Sequence, residues 1–176
     1  LAAARSYDEA AIHTLLDELL AAFALETVLQ EVILPTLREI GEAWIAGEID
    51  IAQEHFVTNL LRERLLNLAR LWSRGSGPLA ILACAPGERH DIGLIAFGLV
   101  LRSHGWKILF LGADTPFPTL QSAATATEPS LVVVASSDRA RLESQAGELA
   151  RLALGVPLAR SEEHTSELQS HLNLVC

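Results

Sequence analysis

Glu88-Arg89-His90-Asp91-Ile92-Gly93 is the stretch of this chain whose residue types and spacing could do the most chemistry. A carboxylate two residues before an imidazole can turn back to hold one ring nitrogen. That fixes the tautomer and makes the other nitrogen a better metal donor. An apolar run, Leu79–Cys84, precedes the stretch and a helical pattern starts at residue 92, which places it on a loop at the carboxyl end of a strand. Open α/β sheets bind ligands there. Gly93 removes a side chain where the helix begins, so a bulky group has room against the backbone. The same residues also suit a solvated surface His beside a Glu. No second and third ligand accompany His90 at the spacing a zinc site needs.

A second constellation joins Trp44 to Glu54 and His55, ten and eleven residues later. A Trp near the end of one helix and an acid–His pair in the first turns of the next can face one cavity. The indole would supply flat apolar area and Glu54 would accept hydrogen bonds. The bland alternative is a core Trp in a bundle, a solvated Glu54 and a satisfied His55. Cys84, at the end of an apolar run, reads as a small buried residue. His13 and His104 read as solvated or helix-end histidines, and Gly75-x-Gly77 precedes a strand and is no dinucleotide loop.

These residues need elements to position them. Over residues 1–74 the apolar period is helical. Ser6 and Glu9 form a capping box before a first helix carrying Ile12, Leu16 and Leu19. A second helix is expected over residues 26–33, and a third from Pro35 through Trp44, stopping at Gly47. A fourth should run from Asp50 to Trp72 with Phe56, Leu60, Leu61, Leu65 and Leu68 inward. Short connections favour an antiparallel four-helix bundle. Ser73-Arg74-Gly75-Ser76-Gly77-Pro78 has linker chemistry. Over residues 78–159, strands at Leu79–Cys84, Lys107–Gly112 and Leu131–Ala135 alternate with helices near 92–104, 117–127 and 139–153, with Gly105 closing the first and a fourth strand from Val156. This predicts a doubly wound parallel sheet, Rossmann-like or flavodoxin-like, with helices on both faces.

Composition narrows the class. The 176 residues are half apolar, with a net charge of −9, of which −7 falls in residues 1–72. No basic stripe is present to neutralise phosphates, so the chain itself should not bind nucleic acid. Two cysteines make no disulfide framework, and no apolar run has the ~18 residues of a membrane span. A cytoplasmic protein without membrane attachment is expected. The absence of Met, at the start included, reads as a piece of a longer protein.

Glu88-x-His90-x-x-Gly93 resembles the acidic-x-His-x-x-Gly signature of cobalamin-binding domains, and the resemblance covers residues 1–159. It implies that His90 is the lower axial ligand of cobalt and displaces the cofactor's own benzimidazole base. Trp44-x₉-Glu54-His55, with Gly87 to Gly93, Gly105-Trp106 and Leu111 to Pro116, resembles the CarH/LitR group of light-responsive, MerR-family transcriptional regulators. The cofactor implied is adenosylcobalamin, with methylcobalamin a lesser possibility. The resemblance implies that Trp44 and Glu54 contact the upper adenosyl group, with His55 beside them among the cofactor-binding residues. Arg89, Asp91, Ile92, Gly93 and Thr115 would line the lower side, with Ser136 or Ser137 at the buried base. Two departures stand out. Ile45 follows Trp44 where light-responsive members often carry a second His, and the family's Ser-x-Leu is absent after the third strand. Residues 160–171 resemble the translation of a common sequencing adapter, so residues from about 160 on are read as a foreign tail that cuts the sheet short.

The function implied is the light-sensing module of a repressor. Loss of the adenosyl group would move the cap and break a dark homotetramer. DNA would be read by an N-terminal winged-helix module outside this chain. The alternative is a corrinoid carrier of a methyltransferase system, and a mutase would need a large barrel that is not encoded.

Overall fold

The computed structural model describes residues 2–155. The expected fourth strand and the adapter-like tail lie outside the described residues. Two compact units divide the chain, residues 1–68 and the residues from 69 on.

The first unit is helical: α1 (Ala2–Arg5), α2 (Glu9–Ala22), α3 (Leu25–Val28), α4 (Leu34–Ile45) and α5 (Ile51–Leu68). Leu16, Leu29, Ile33, Ile40, Leu61 and Leu65 are buried in it. The expected start of the first long helix moves. Ser6 Oγ donates to the carbonyls of Ala2 and Ala3, because residues 2–5 already form a helical turn. Asp8 takes over as cap and accepts from the Ala11 N–H at 2.9 Å.

The break expected before Pro35 is also absent. A π-turn, Leu29–Ile33, joins α3 to α4, and the Leu34 N–H reaches back to the Leu29 carbonyl. Pro35 has no N–H to donate and its ring crowds the preceding turn, and the wider turn relieves that crowding without ending the helix. Helix α5 ends at Leu68, followed by a 3₁₀ turn, Ala69–Leu71. Its buried side is Val57, Leu60, Leu61 and Leu65. Leu68 is exposed, and Phe56 is half-buried with its ring edge-on to Tyr7.

The second unit is a three-stranded parallel sheet in the order β2-β1-β3, where β1 is Leu79–Cys84, β2 Lys107–Gly112 and β3 Leu131–Ala135. All three strands fall on the residues expected of them. Helices α6 (Ile92–Ser103), α7 (Phe117–Thr127), α8 (Arg139–Ser144) and α9 (Ala146–Gly155) complete it. Ile81 and Ala83 pack with Phe117, Leu120, Ala124 and Leu152 of α7 and α9 on one face. On the other, Leu82 approaches Gly98 of α6, so helices cover both faces. Gly105 closes α6 as expected: its N–H goes to the Arg102 carbonyl and that of Trp106 to Leu101.

Two expectations change here. The helix foreseen over 139–153 breaks at Gln145, where Ser144 Oγ takes the Arg141 carbonyl and the Gln145 amide holds Pro86 O. Gly77, read as a linker residue, is packed tightly, since a Cβ there would lie 2.0 Å from the Gly105 carbonyl oxygen.

Candidate functional site

In the order β2-β1-β3 the chain leaves β1 toward β2 on one side and later brings β3 in as the parallel neighbour on the other, so the loops after β1 and β3 emerge side by side at a switch point. The loop after β1 carries Glu88 and His90, and the loop after β3 carries Ser136 and Ser137. Gly87 makes the turn between β1 and Glu88 in the left-handed region (φ 79°), and its N–H donates to Asp114 Oδ1 at 2.7 Å. The Asp114 N–H in turn donates to the Glu88 carbonyl, so the loop after β2 supports the one after β1.

Glu88 is fully buried yet ionised. Oε1 accepts from the His90 backbone N–H (2.8 Å) and faces His90 Nδ1 at 2.7 Å. Oε2 accepts from Ser136 Oγ (3.1 Å), Ser137 N–H (2.7 Å), Ser137 Oγ (2.6 Å) and Arg141 Nη1 (2.9 Å). Burial works against the charge. The hydrogen bonds from the Ser137 hydroxyl, the His90 and Ser137 backbone N–H groups and the His90 ring outweigh it, and hold the carboxyl well below the usual carboxylate range.

The partner of this carboxylate is the opposite in exposure. The His90 side chain is 82% exposed. A carboxylate only accepts, so Nδ1 carries the proton and Nε2 of the neutral ring holds a free lone pair. That is the donor set a single axial metal position needs. Among the described residues no group of three or more His, Cys, Asp or Glu is arranged to hold a metal ion.

The remaining expected residues are placed as follows. Arg89 is exposed beside His90. Asp91 and Ile92 are buried at the start of α6, and Gly93 is half-buried in its first turn. Thr115 is buried, its N–H on the Cys84 carbonyl and its hydroxyl on that of Gly112. Ser136 and Ser137, expected at a buried base, direct their hydroxyls onto Glu88. Burial and the charges of Asp91 and Glu88 push the Cys84 thiol up to about 12, in keeping with an inert core residue. In the helical unit, Trp44 sits in the last turn of α4 and is 47% exposed, which argues against the core reading. Glu54 is in the first turn of α5, with one oxygen 2.5 Å from His55 Nδ1 and the other accepting from Thr58 Oγ1 at 2.7 Å. Sequence reasoning missed Arg141. Its place beside Glu88 follows from the strand order, which sets β3 and the helix after it next to β1, and not from any local mark in the sequence.

Fold and site together define an open α/β ligand-binding unit with a carboxylate-held, outward-facing His at its switch point, preceded by a helical unit. Residues 1–68 match the family model described as the B12 binding domain. The chain is 34% identical over 157 residues to the HTH-type transcriptional repressor CarH of Myxococcus xanthus, covering 89% of this chain and 52% of that protein. It is 36% identical over 120 residues to the repressor CarA of the same organism, with 68% and 40% covered. The chain thus spans about half the length, or less, of these curated relatives. Among solved structures, the monomethylamine corrinoid protein of Methanosarcina barkeri superposes with a TM-score of 0.65 at 22% identity, over 85% of this chain and 73% of that one, a likeness of fold. Residues 1–68 thus belong to the B12 binding domains, the chain resembles the CarH-type repressors over most of its length, and these likenesses support a cobalamin as its cofactor.

Proposed function

We propose that this chain is the adenosylcobalamin-binding, light-sensing part of a transcriptional repressor. The observation that carries the reading is the Glu88–His90 pair: a buried, fully hydrogen-bonded carboxylate fixing an exposed imidazole whose Nε2 is free to ligate. The donor set fits a corrinoid, which can take one axial nitrogen from the protein in place of its own base, and the comparisons support a repressor of the CarH kind.

When bound, adenosylcobalamin would supply a light-labile cobalt–carbon bond. His90 Nε2 would hold the metal, and Glu88 keeps that ring in the donating tautomer and orientation. Glycine at 93 leaves the start of α6 without a side chain beside the ligand, and Thr115 is held rigidly at the end of β2. Trp44 presents an exposed indole for adenine to lie against, and Glu54 and His55 offer acceptor and donor atoms to the ribose. Those three side chains are the ones that would tell a cofactor carrying the upper group from one that has lost it. In this reading, dark-form copies assemble and light separates them, in a cytoplasmic protein whose DNA contacts come from a separate module.

The test is a visible absorption series. The chain, loaded with adenosylcobalamin in the dark and freed of excess, should retain a base-off, His-coordinated spectrum that green light changes irreversibly. His90→Ala should lose that coordination. Preferential retention of methylcobalamin would favour a methyl carrier instead, and an unchanged bound spectrum in His90→Ala would remove His90 from the site.

A further inference from the structure

The two oxygens of Glu88 face different things. Among the described residues, Oε1 faces His90, through its backbone N–H and Nδ1. Oε2 collects two serine hydroxyls, one backbone N–H and the guanidinium of Arg141 at 2.9 Å. Arg141 reaches it from 53 residues away in sequence, on an α8 anchored at both ends. Asp138 caps its start, accepting from the Ala140 N–H at 2.9 Å, and Gln145 ties its end to the Pro86 carbonyl at 3.2 Å. Pro86 and Gly87 belong to the same loop as His90, so the helix bearing Arg141 and the loop bearing the imidazole hold each other in register.

We propose that Arg141 is a positioning residue for His90, acting through Glu88 to set how strongly the imidazole donates to cobalt. The proposal rests on the reading of His90 as the axial donor. A cation on Oε2 draws carboxylate charge toward that oxygen and away from Oε1. Oε1 then pulls less on the Nδ1 proton, the ring carries less anionic character, and Nε2 donates more weakly. Removing the cation reverses each step. The side chain of Arg141 is 30% exposed and that of Glu88 1%, so the pair is only partly screened by solvent and salt. Arg141 therefore restrains a donor that Glu88 by itself would strengthen further.

Two measurements test this. The chain loaded with cob(II)alamin is studied by electron paramagnetic resonance as the parent, Arg141→Met and Arg141→Lys. The nitrogen splitting on cobalt should grow in Arg141→Met and stay near the parent value in Arg141→Lys, which keeps the charge. A folded Arg141→Met with unchanged splitting overturns the proposal. If that variant does not fold, Arg141→Gln, which offers Oε2 an N–H without charge, takes its place under the same criterion. The second measurement uses the cofactor-free chain with nitrogen-15 histidine. The His90 Nε2 resonance should shift between parent and the uncharged variant, and an absent shift counts against the proposal. A parent spectrum without nitrogen splitting on cobalt would sink the ligand reading itself, while the cofactor-free resonance still decides whether Arg141 polarises His90.

Discussion

Glu88 is the side chain on which the site depends, because among the described residues it is buried, charged and in contact with His90. Its carboxyl is held below the ordinary value of 4.5, so folding favours the ionised form. The contribution is present in full above that value and is lost as the pH falls toward the depressed folded one. Glu88→Gln should therefore be less stable than the parent at pH 7, and the gap should narrow below about pH 4, as urea unfolding at the two pH values would show. Ser137→Ala removes a donor from Oε2 and should cost about 1–3 kcal/mol by the same measurement; equal stability would mean a water replaces the hydroxyl. The Glu88–His90 contact could be foreseen, since two residues on one loop have little choice of orientation. The carboxylate's other partners could not. Ser136 and Ser137 were read toward a ligand, and Arg141 carries no local mark that separates it from a solvated helix arginine.

At the scale of elements, the three strands match their sequence reading residue for residue because each is a short apolar run with Pro, Gly, Ser or a charged residue within two positions of either end, and no competing helical period. The helix ends were less legible, being settled by competition between nearby polar groups. Asp8 displaces Ser6, the π-turn absorbs Pro35, and Ser144 with Gln145 splits α8 from α9. The start of α5 shows what such a contest secures. Asp50 Oδ1 accepts from the Gln53 N–H at 2.8 Å and Gln53 Oε1 from the Asp50 N–H at 2.9 Å, a reciprocal cap directly before Glu54 and His55. Asp50→Ala should lower stability by about 1 kcal/mol in thermal unfolding. Trp44→Ala, on an exposed helix end, should leave folding nearly unchanged and weaken retention of adenosylcobalamin more than of methylcobalamin. Equal losses for the two cofactors, read by absorption after gel filtration, would argue against an adenosyl-reading role.

For the whole molecule, charge sets this chain apart from a surface built to meet DNA. The two Myxococcus xanthus relatives are helix-turn-helix repressors, and the chain spans about half or less of each. A repressor must neutralise phosphates, and affinity built on such contacts falls steeply with salt. This chain carries −9 overall, with most of the excess in the helical residues 1–72, where any surface brought near DNA would be repelled. Sensing and reading are thus expected in separate parts, coupled through assembly rather than through a shared surface. The chain alone, loaded with adenosylcobalamin in the dark or after light, should not retard duplex DNA in a gel shift at about 150 mM salt, where the screening length is about 8 Å. Joining it to a helix-turn-helix module should confer binding that light releases. Retardation by the isolated chain, weakening with added salt, would mean that a local basic surface overrides the net charge, and the division of labour argued here would fail.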